Sequence, residues 1–140
     1  MKKINVGWEE WISMPDLGVP ALIAKTDTGA QTSSLHAFNI QKFGKKNKEK
    51  VRFGIQPIPD DPNYKIFCSA KLIDERKIRS SNGMVEVRYV ISTILKIGEL
   101  TRKIEITLSN RENMNYKMLI GRSALEGITV KPNTSFLNGE

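Results

Sequence analysis

Ala21-Leu22-Ile23-Ala24-Lys25-Thr26-Asp27-Thr28-Gly29-Ala30 is a short apolar run that ends at a turn carrying a carboxylate and a glycine. A carboxylate at a strand end, followed by a small hydroxyl residue and then glycine, suits acid–base work on water. Gly29 has no Cβ, so the backbone can turn sharply there and bring N–H groups up to the Asp27 carboxylate. Thr28 can anchor the turn through its hydroxyl. Asp27, Thr28 and Gly29 are therefore the candidate catalytic residues. The nearest lookalike, Asp16-Leu17-Gly18, lacks the hydroxyl residue and sits beside Val19-Pro20. It reads as an ordinary turn.

Outward from this stretch the pattern is β almost throughout. Val51-Arg52-Phe53-Gly54-Ile55 alternates with period two, as a half-buried strand should. Tyr64 to Ile73 follows the turn Asp60-Asp61-Pro62-Asn63 and puts Ile66, Cys68 and Ala70 on one face. Cys68 there reads as a small core residue. Met84 to Ile97 is a long strand after Asn82-Gly83, a dipeptide suited to a tight hairpin turn. Ile97-Gly98-Glu99-Leu100 forms a second hairpin into Lys103–Leu108. Met118-Leu119-Ile120-Gly121-Arg122 is an apolar strand ending in glycine, and the one helix signal, Ser123-Ala124-Leu125-Glu126, is stopped by Gly127. So many short strands need their edges managed, which predicts an all-β domain over 1–140, closed or nearly closed into a barrel, with one short C-terminal helix.

Composition narrows the chemistry. The chain has 140 residues with one cysteine, Cys68, and one histidine, His36. No internal disulfide is possible, one Cys and one His cannot make a zinc site, and any Ser-His-Asp triad would have to use His36. His36 follows the Asp27 turn in an alternating run with Ala37 and Phe38, which predicts a packed histidine. No apolar run approaches a bilayer span, and Met1-Lys2-Lys3 has no apolar stretch behind it, so the expected location is the cytoplasm and no membrane partner is expected. Twenty-two Lys and Arg against 15 Asp and Glu give a formal charge of +7. Such a surface concentrates anionic partners. Much of the excess lies in Lys42, Lys45, Lys46, Lys48 and Lys50, read as a solvated basic loop.

The two strand-to-glycine junctions, Asp27-Thr28-Gly29 and Ile120-Gly121-Arg122, resemble the two halves of a retropepsin active site. The resemblance extends over Gly7-Trp8-Glu9-Glu10-Trp11, Ala24 to Ala37, Arg88-Tyr89-Val90-Ile91, Thr107 to Arg111, Met118 to Arg122, Val130-Lys131-Pro132 and Ser135-Phe136-Leu137. Together these stretches resemble the bacterial RimK-associated retropepsin-like aspartic peptidases, a branch often called the ATP-dependent zinc protease family. The resemblance implies a retropepsin-like barrel and a link to the ligase that adds glutamates to a ribosomal protein. The branch's common label does not suit these residues: there is no His-Glu-x-x-His and no Gly-x-x-x-x-Gly-Lys loop. No metal and no cofactor is expected.

Aspartic peptide hydrolysis needs two carboxylates a few Å apart, and this chain supplies one Asp-Thr-Gly. The resemblance therefore implies a homodimer with Asp27 from each subunit on a two-fold axis, Thr28 supporting each loop across it, and a flap, for which the hairpin around Ser80-Ser81-Asn82-Gly83 is the candidate. Where retroviral relatives carry an acidic residue after Asp-Thr-Gly-Ala, this chain has Gln31. Arg122 is then left to another carboxylate, in a buried ion pair holding the helix to the loop, or free to meet an acidic substrate. Lys25, Arg79, Arg88 and Arg122, with Ala30 and Gln31 of the loop, are the candidate substrate-binding residues for an acidic peptide such as an oligoglutamate tail on a ribosomal protein. Two rivals stand beside the peptidase. One is a non-catalytic basic barrel docking on ribosomal RNA or an acidic protein, against which aromatics amount to only 7% and no Lys/Arg-Gly-Phe signature occurs. The other is a dimerisation domain whose Asp-Thr-Gly is idle.

Overall fold

The computed structural model describes residues 4–58, 61, 63–79, 83–109 and 116–139, apart from the side chains of Ile78 and Arg79. The strands are β1 (Asn5–Gly7), β2 (Glu9–Met14), β3 (Val19–Thr26), β4 (Ser33–His36), β5 (Phe38–Phe43), β6 (Lys50–Ile55), β7 (Ile66–Arg79), β8 (Val85–Ile97), β9 (Leu100–Ser109), β10 (Met118–Ile120) and β11 (Thr129–Lys131). Six of them, in the order β2-β3-β10-β4-β9-β8, close into a barrel because β8 returns to β2 at Ser13 and Lys96. Beyond β8 the sheet continues through β7, β6 and β5, all antiparallel. A separate parallel pair, β1 with β11, ties the two ends of the chain together. The closed β-barrel expected from the strand spacing is present.

Alternation explains which face each strand buries. In β6, Val51 and Phe53 point inward and are fully buried while Lys50 and Arg52 are exposed. Leu22, Leu35, Ile91, Leu95, Ile106, Met118 and Ile120 join Phe53 in one core. Each such side chain contributes about 1.5–3 kcal/mol through removal from water, so Phe53→Ala would cost about 3–5 kcal/mol. Ile66, Cys68, Ala70 and Leu72 of β7 pack half-buried against this core, which puts Cys68 on the expected face. His36 is buried, as an alternating position beside the core requires.

Two elements differ from the sequence reading, while the Asp16 turn is where it was expected. Strand β7 runs to Arg79, six residues past Ile73, because its second half pairs with β8 outside the barrel. Asp74, Glu75, Arg76 and Lys77 have no face against the core there, so the period-two signal vanishes while the ladder continues. The helix is a single 3-10 turn, Arg122–Leu125, followed by Gly127 at φ 75°. The Asp16 lookalike lies in a 3-10 turn, Pro15–Leu17, reversed by Gly18 at φ 74°. Among the described residues no helix is long and apolar enough to cross a membrane. The candidate flap tip, Ser80 to Asn82, lies outside the described residues.

Candidate active site

Strand β10 lies between β3 and β4, parallel to the first and antiparallel to the second. The loop 27–32 that joins β3 to β4 therefore has to cross the end of β10. Gly121 stands at that crossing. A Cβ there would come within 2.6 Å of Thr32 C and 2.9 Å of Ser33 N, so only glycine lets the loop rest on the strand end. Four hydrogen bonds hold the crossing. Asp27 N donates to Ile120 O at 2.8 Å, Arg122 N to Ala30 O at 2.7 Å and Ser123 N to Gln31 O at 3.0 Å. Gly121 N donates to the Oγ of buried Ser33 at 3.0 Å.

Within the loop, Gly29 N donates to Asp27 Oδ1 at 3.0 Å. This fixes one carboxylate oxygen and the side-chain torsion with it. Asp27 is half-buried, Thr28 and Gly29 are exposed, and among the described residues Asp27 forms no ion pair. Arg122 is not in the buried ion pair that was one of its two expected fates. It is exposed, and its Nη1 donates to the carbonyl of Thr28 at 3.0 Å. With Gln31 in place of a carboxylate, the guanidinium takes the nearest fixed backbone acceptor and braces the loop.

Behind the loop a second layer of contacts reaches the chain ends. Thr26 Oγ1 donates to Gly7 O at 3.0 Å and Thr26 N to Trp8 O at 3.0 Å. Gly7 is held in turn by Glu10, a fully buried carboxylate. Glu10 also accepts from Leu137 N, Asn138 N and Asn138 Nδ2, between 2.9 and 3.2 Å. Glu10, Ser33 and Thr26 are all absent from the residues singled out by sequence. Apart from lying within the stretches that carry the family resemblance, they offered the signal of a polar side chain at an inward position of an alternating strand.

The remaining candidates are spread more widely. Ala30 and Gln31 are in the loop and contribute carbonyls to its bracing. Lys25 is exposed, two residues before Asp27, with Glu9 opposite it across β2. Arg88 lies on β8, where its Nη2 meets Glu86 Oε2 at 3.3 Å and its cross-strand neighbour is Arg76. Arg79 is the last residue of β7. The structure thus brings Asp27 to Gln31 together with Arg122, while among the described residues neither Lys25 nor Arg88 forms a hydrogen bond or ion pair with that group. Arg76, which sequence reasoning missed, does reach it: Nη1 stands 3.5 Å from Thr32 Oγ1, while Asp74 and Glu105 take its other nitrogens.

Comparison with known proteins agrees with this geometry. A protein of unknown function from Legionella pneumophila, solved by crystallography, superposes with a TM-score of 0.79 at 28% identity over 99% of both chains. Two proteins named "Probable alpha-L-glutamate ligase" are similar in sequence. The one from Shewanella halifaxensis is 44% identical over 139 residues, and the one from Desulfotalea psychrophila 47% over 124. The chain spans only 30% and 26% of the length of those relatives, while 99% and 89% of the chain is matched. Residues 5–140 match the family described as "Retropepsin-like aspartic endopeptidase RimB". With its Asp27 loop seated on the end of β10 inside a closed six-stranded barrel, the chain belongs to that retropepsin-like aspartic endopeptidase family.

Proposed function

We propose that the chain is an aspartic-type peptidase that works as a homodimer, with Asp27 of each copy facing the other across a two-fold axis. The observation that carries this reading is the state of Asp27: it is clamped by Gly29 N–H, half-exposed, and unclaimed by any cation among the described residues. A carboxylate serving only the fold would be paired or saturated, as Glu10 is. Two such groups a few Å apart share one proton, because both cannot ionise cheaply at that separation. The ionised member takes a proton from water as the water oxygen attacks the peptide carbonyl, and the protonated member hydrogen-bonds the carbonyl oxygen. The tetrahedral diol then collapses, the C–N bond breaks, and the nitrogen leaves with a proton from the pair. Catalytic roles fall to Asp27, Thr28 and Gly29.

The substrate we propose is a glutamate-rich peptide, such as an oligoglutamyl tail on a ribosomal protein. The support is twofold. The similar proteins carry the name of a glutamate ligase, and exposed Arg122 braces the Asp27 loop at the Thr28 carbonyl, with exposed Lys25 two residues before Asp27. Lys25, Arg79, Arg88 and Arg122 would meet the acidic side chains, with Ala30 and Gln31 along the backbone. Asp27→Asn should abolish turnover of an oligoglutamyl peptide with the fold intact. Sedimentation should show activity following the dimer. Equal rates on oligoglutamyl and neutral peptides, at low and high salt alike, would end the substrate assignment.

A further inference from the structure

The outward face of the sheet extension has a composition that neither the barrel nor the Asp27 loop requires. Strands β5, β6 and β7 are in register so that their outward-facing positions line up in three rows. The first is Phe43, Lys50 and Lys71. The second is Gln41, Arg52 and Ser69. The third is Phe38, Gly54 and Phe67, with Lys65 two residues before Phe67. The inward residues of β6 are buried in the core, so this sheet has one covered face and one open to solvent.

Three of the chain's five phenylalanines are on the open face. Phe67 is 65% exposed and stands edge-on to Phe38, with ring centroids 5.8 Å apart. Phe38 lies across Gly54, where a Cβ would strike its ring. The Arg52 guanidinium sits 4.9 Å from the centre of the Phe43 ring, and Lys65 Nζ 5.5 Å from that of Phe38. Lys50 and Lys71 are directly opposite one another, a like-charge pairing that destabilises a bare sheet. Among the described residues none of Lys50, Arg52, Lys65 and Lys71 has a carboxylate within ion-pair distance. The acids of this region, Glu49, Asp74 and Glu75, share a depression with Lys71 at one end, where Glu49 and Glu75 hold Lys42.

We infer that this face is a docking surface for single-stranded nucleic acid. Cations with no carboxylate partner among the described residues, two of them directly opposed, fit a polyanion. The exposed Phe67 ring, edge-on to half-buried Phe38, adds what phosphate binding alone does not need: a platform on which an unpaired base stacks. A purely acidic peptide would use the cations and leave Phe67 in water. A duplex keeps its bases inside and could not use the rings either. The surface is built of different residues from the Asp27 loop and does not depend on the peptidase reading.

The test is fluorescence anisotropy on the full chain with a labelled ten-nucleotide single-stranded RNA, a duplex of the same length and an oligoglutamate of matched charge. Phe67→Ala keeps every charge and removes one platform; it should weaken RNA binding roughly five- to a hundredfold. Lys50→Gln with Lys71→Gln keeps the rings and should flatten the plot of log affinity against log salt by about 1.4. Asp27→Asn should bind RNA as the wild type does, and Phe67→Ala should leave any peptide hydrolysis unchanged, which separates this surface from the Asp27 site. Circular dichroism melting of each variant shows whether it is folded. Three results overturn the inference: oligoglutamate or duplex losing affinity on Phe67→Ala as steeply as single strand does, RNA affinity indifferent to Phe67→Ala in a folded protein, or Phe67→Ala reducing self-association while RNA binding stays.

Discussion

Glu10→Gln is a nearly isosteric change that should destabilise this protein far more than its modest chemistry suggests. The carboxylate is fully buried and surrounded by donors alone. Oε2 takes Gly7 N at 2.7 Å and Leu137 N at 2.9 Å; Oε1 takes Asn138 N at 3.1 Å and Asn138 Nδ2 at 3.2 Å. An amide can replace only one of these oxygens with another oxygen. Whichever way it is turned, its NH2 faces two N–H donors and leaves both without an acceptor. Each donor so orphaned costs about 1–3 kcal/mol, so two of them cost about 2–6 kcal/mol. We expect a loss in the middle of that range, about 3–5 kcal/mol. Unfolding entropy of about 2.1 cal/mol/K per residue over 140 residues comes to about 0.3 kcal/mol/K, so the Tm should fall by about 10–17 °C. Thermal unfolding followed by circular dichroism reads this directly, with exposed Glu126→Gln as a control expected within about 0.5 kcal/mol. A Tm lowered by less than about 4 °C would refute the reasoning, because it would mean that the four donors find water or another acceptor. The consequence reaches the site, since Gly7 O holds Thr26 Oγ1 directly before Asp27.

Gly121→Ala should cost about 1–3 kcal/mol by overpacking, because its methyl would meet the Thr32 and Ser33 backbone. Gly127→Ala, which meets nothing within 4 Å but has φ 75°, should cost less and leave the amide exchange of the 27–31 loop unaltered. Burial pushes the Cys68 thiol up to about 12 from 9.0. At pH 8 the native protein should then react with iodoacetamide about a thousandfold more slowly than a free thiol. The rate should climb with pH through that range and the protection should vanish in denaturant; native reaction at the free-thiol rate would contradict the burial. Arg122→Gln should speed amide exchange at Gly29 and Ala30, since it removes the brace on the Thr28 carbonyl. Its Tm should move by less than about 3 °C, because the side chain is exposed.

Most of the fold was visible in the chain because a half-covered sheet writes its burial into every second residue. Val51 to Ile55, Lys103 to Leu108 and the Ile97–Leu100 hairpin fall where alternation and turn residues put them. The Asp27-Thr28-Gly29 turn and the Gly121 junction were legible for a related reason: each needs a glycine beside a particular neighbour, and such demands are local. What lies outside the barrel was less legible. The second half of β7 is charged on both sides and carries no period.

Tertiary structure alone decided how distant residues share a task. Nothing local says that Glu10 closes the chain ends by gathering N–H groups from Gly7 and Asn138, or that Arg122 braces Thr28 through a carbonyl instead of a carboxylate. The aromatic and basic rows on β5, β6 and β7 are likewise invisible in one dimension, because Phe38, Gly54 and Phe67 come from three strands and meet only through register. Sequence periodicity records which way a side chain points relative to its own strand. Which other strand it then faces depends on pairing across long loops, and that is settled only when the sheet closes.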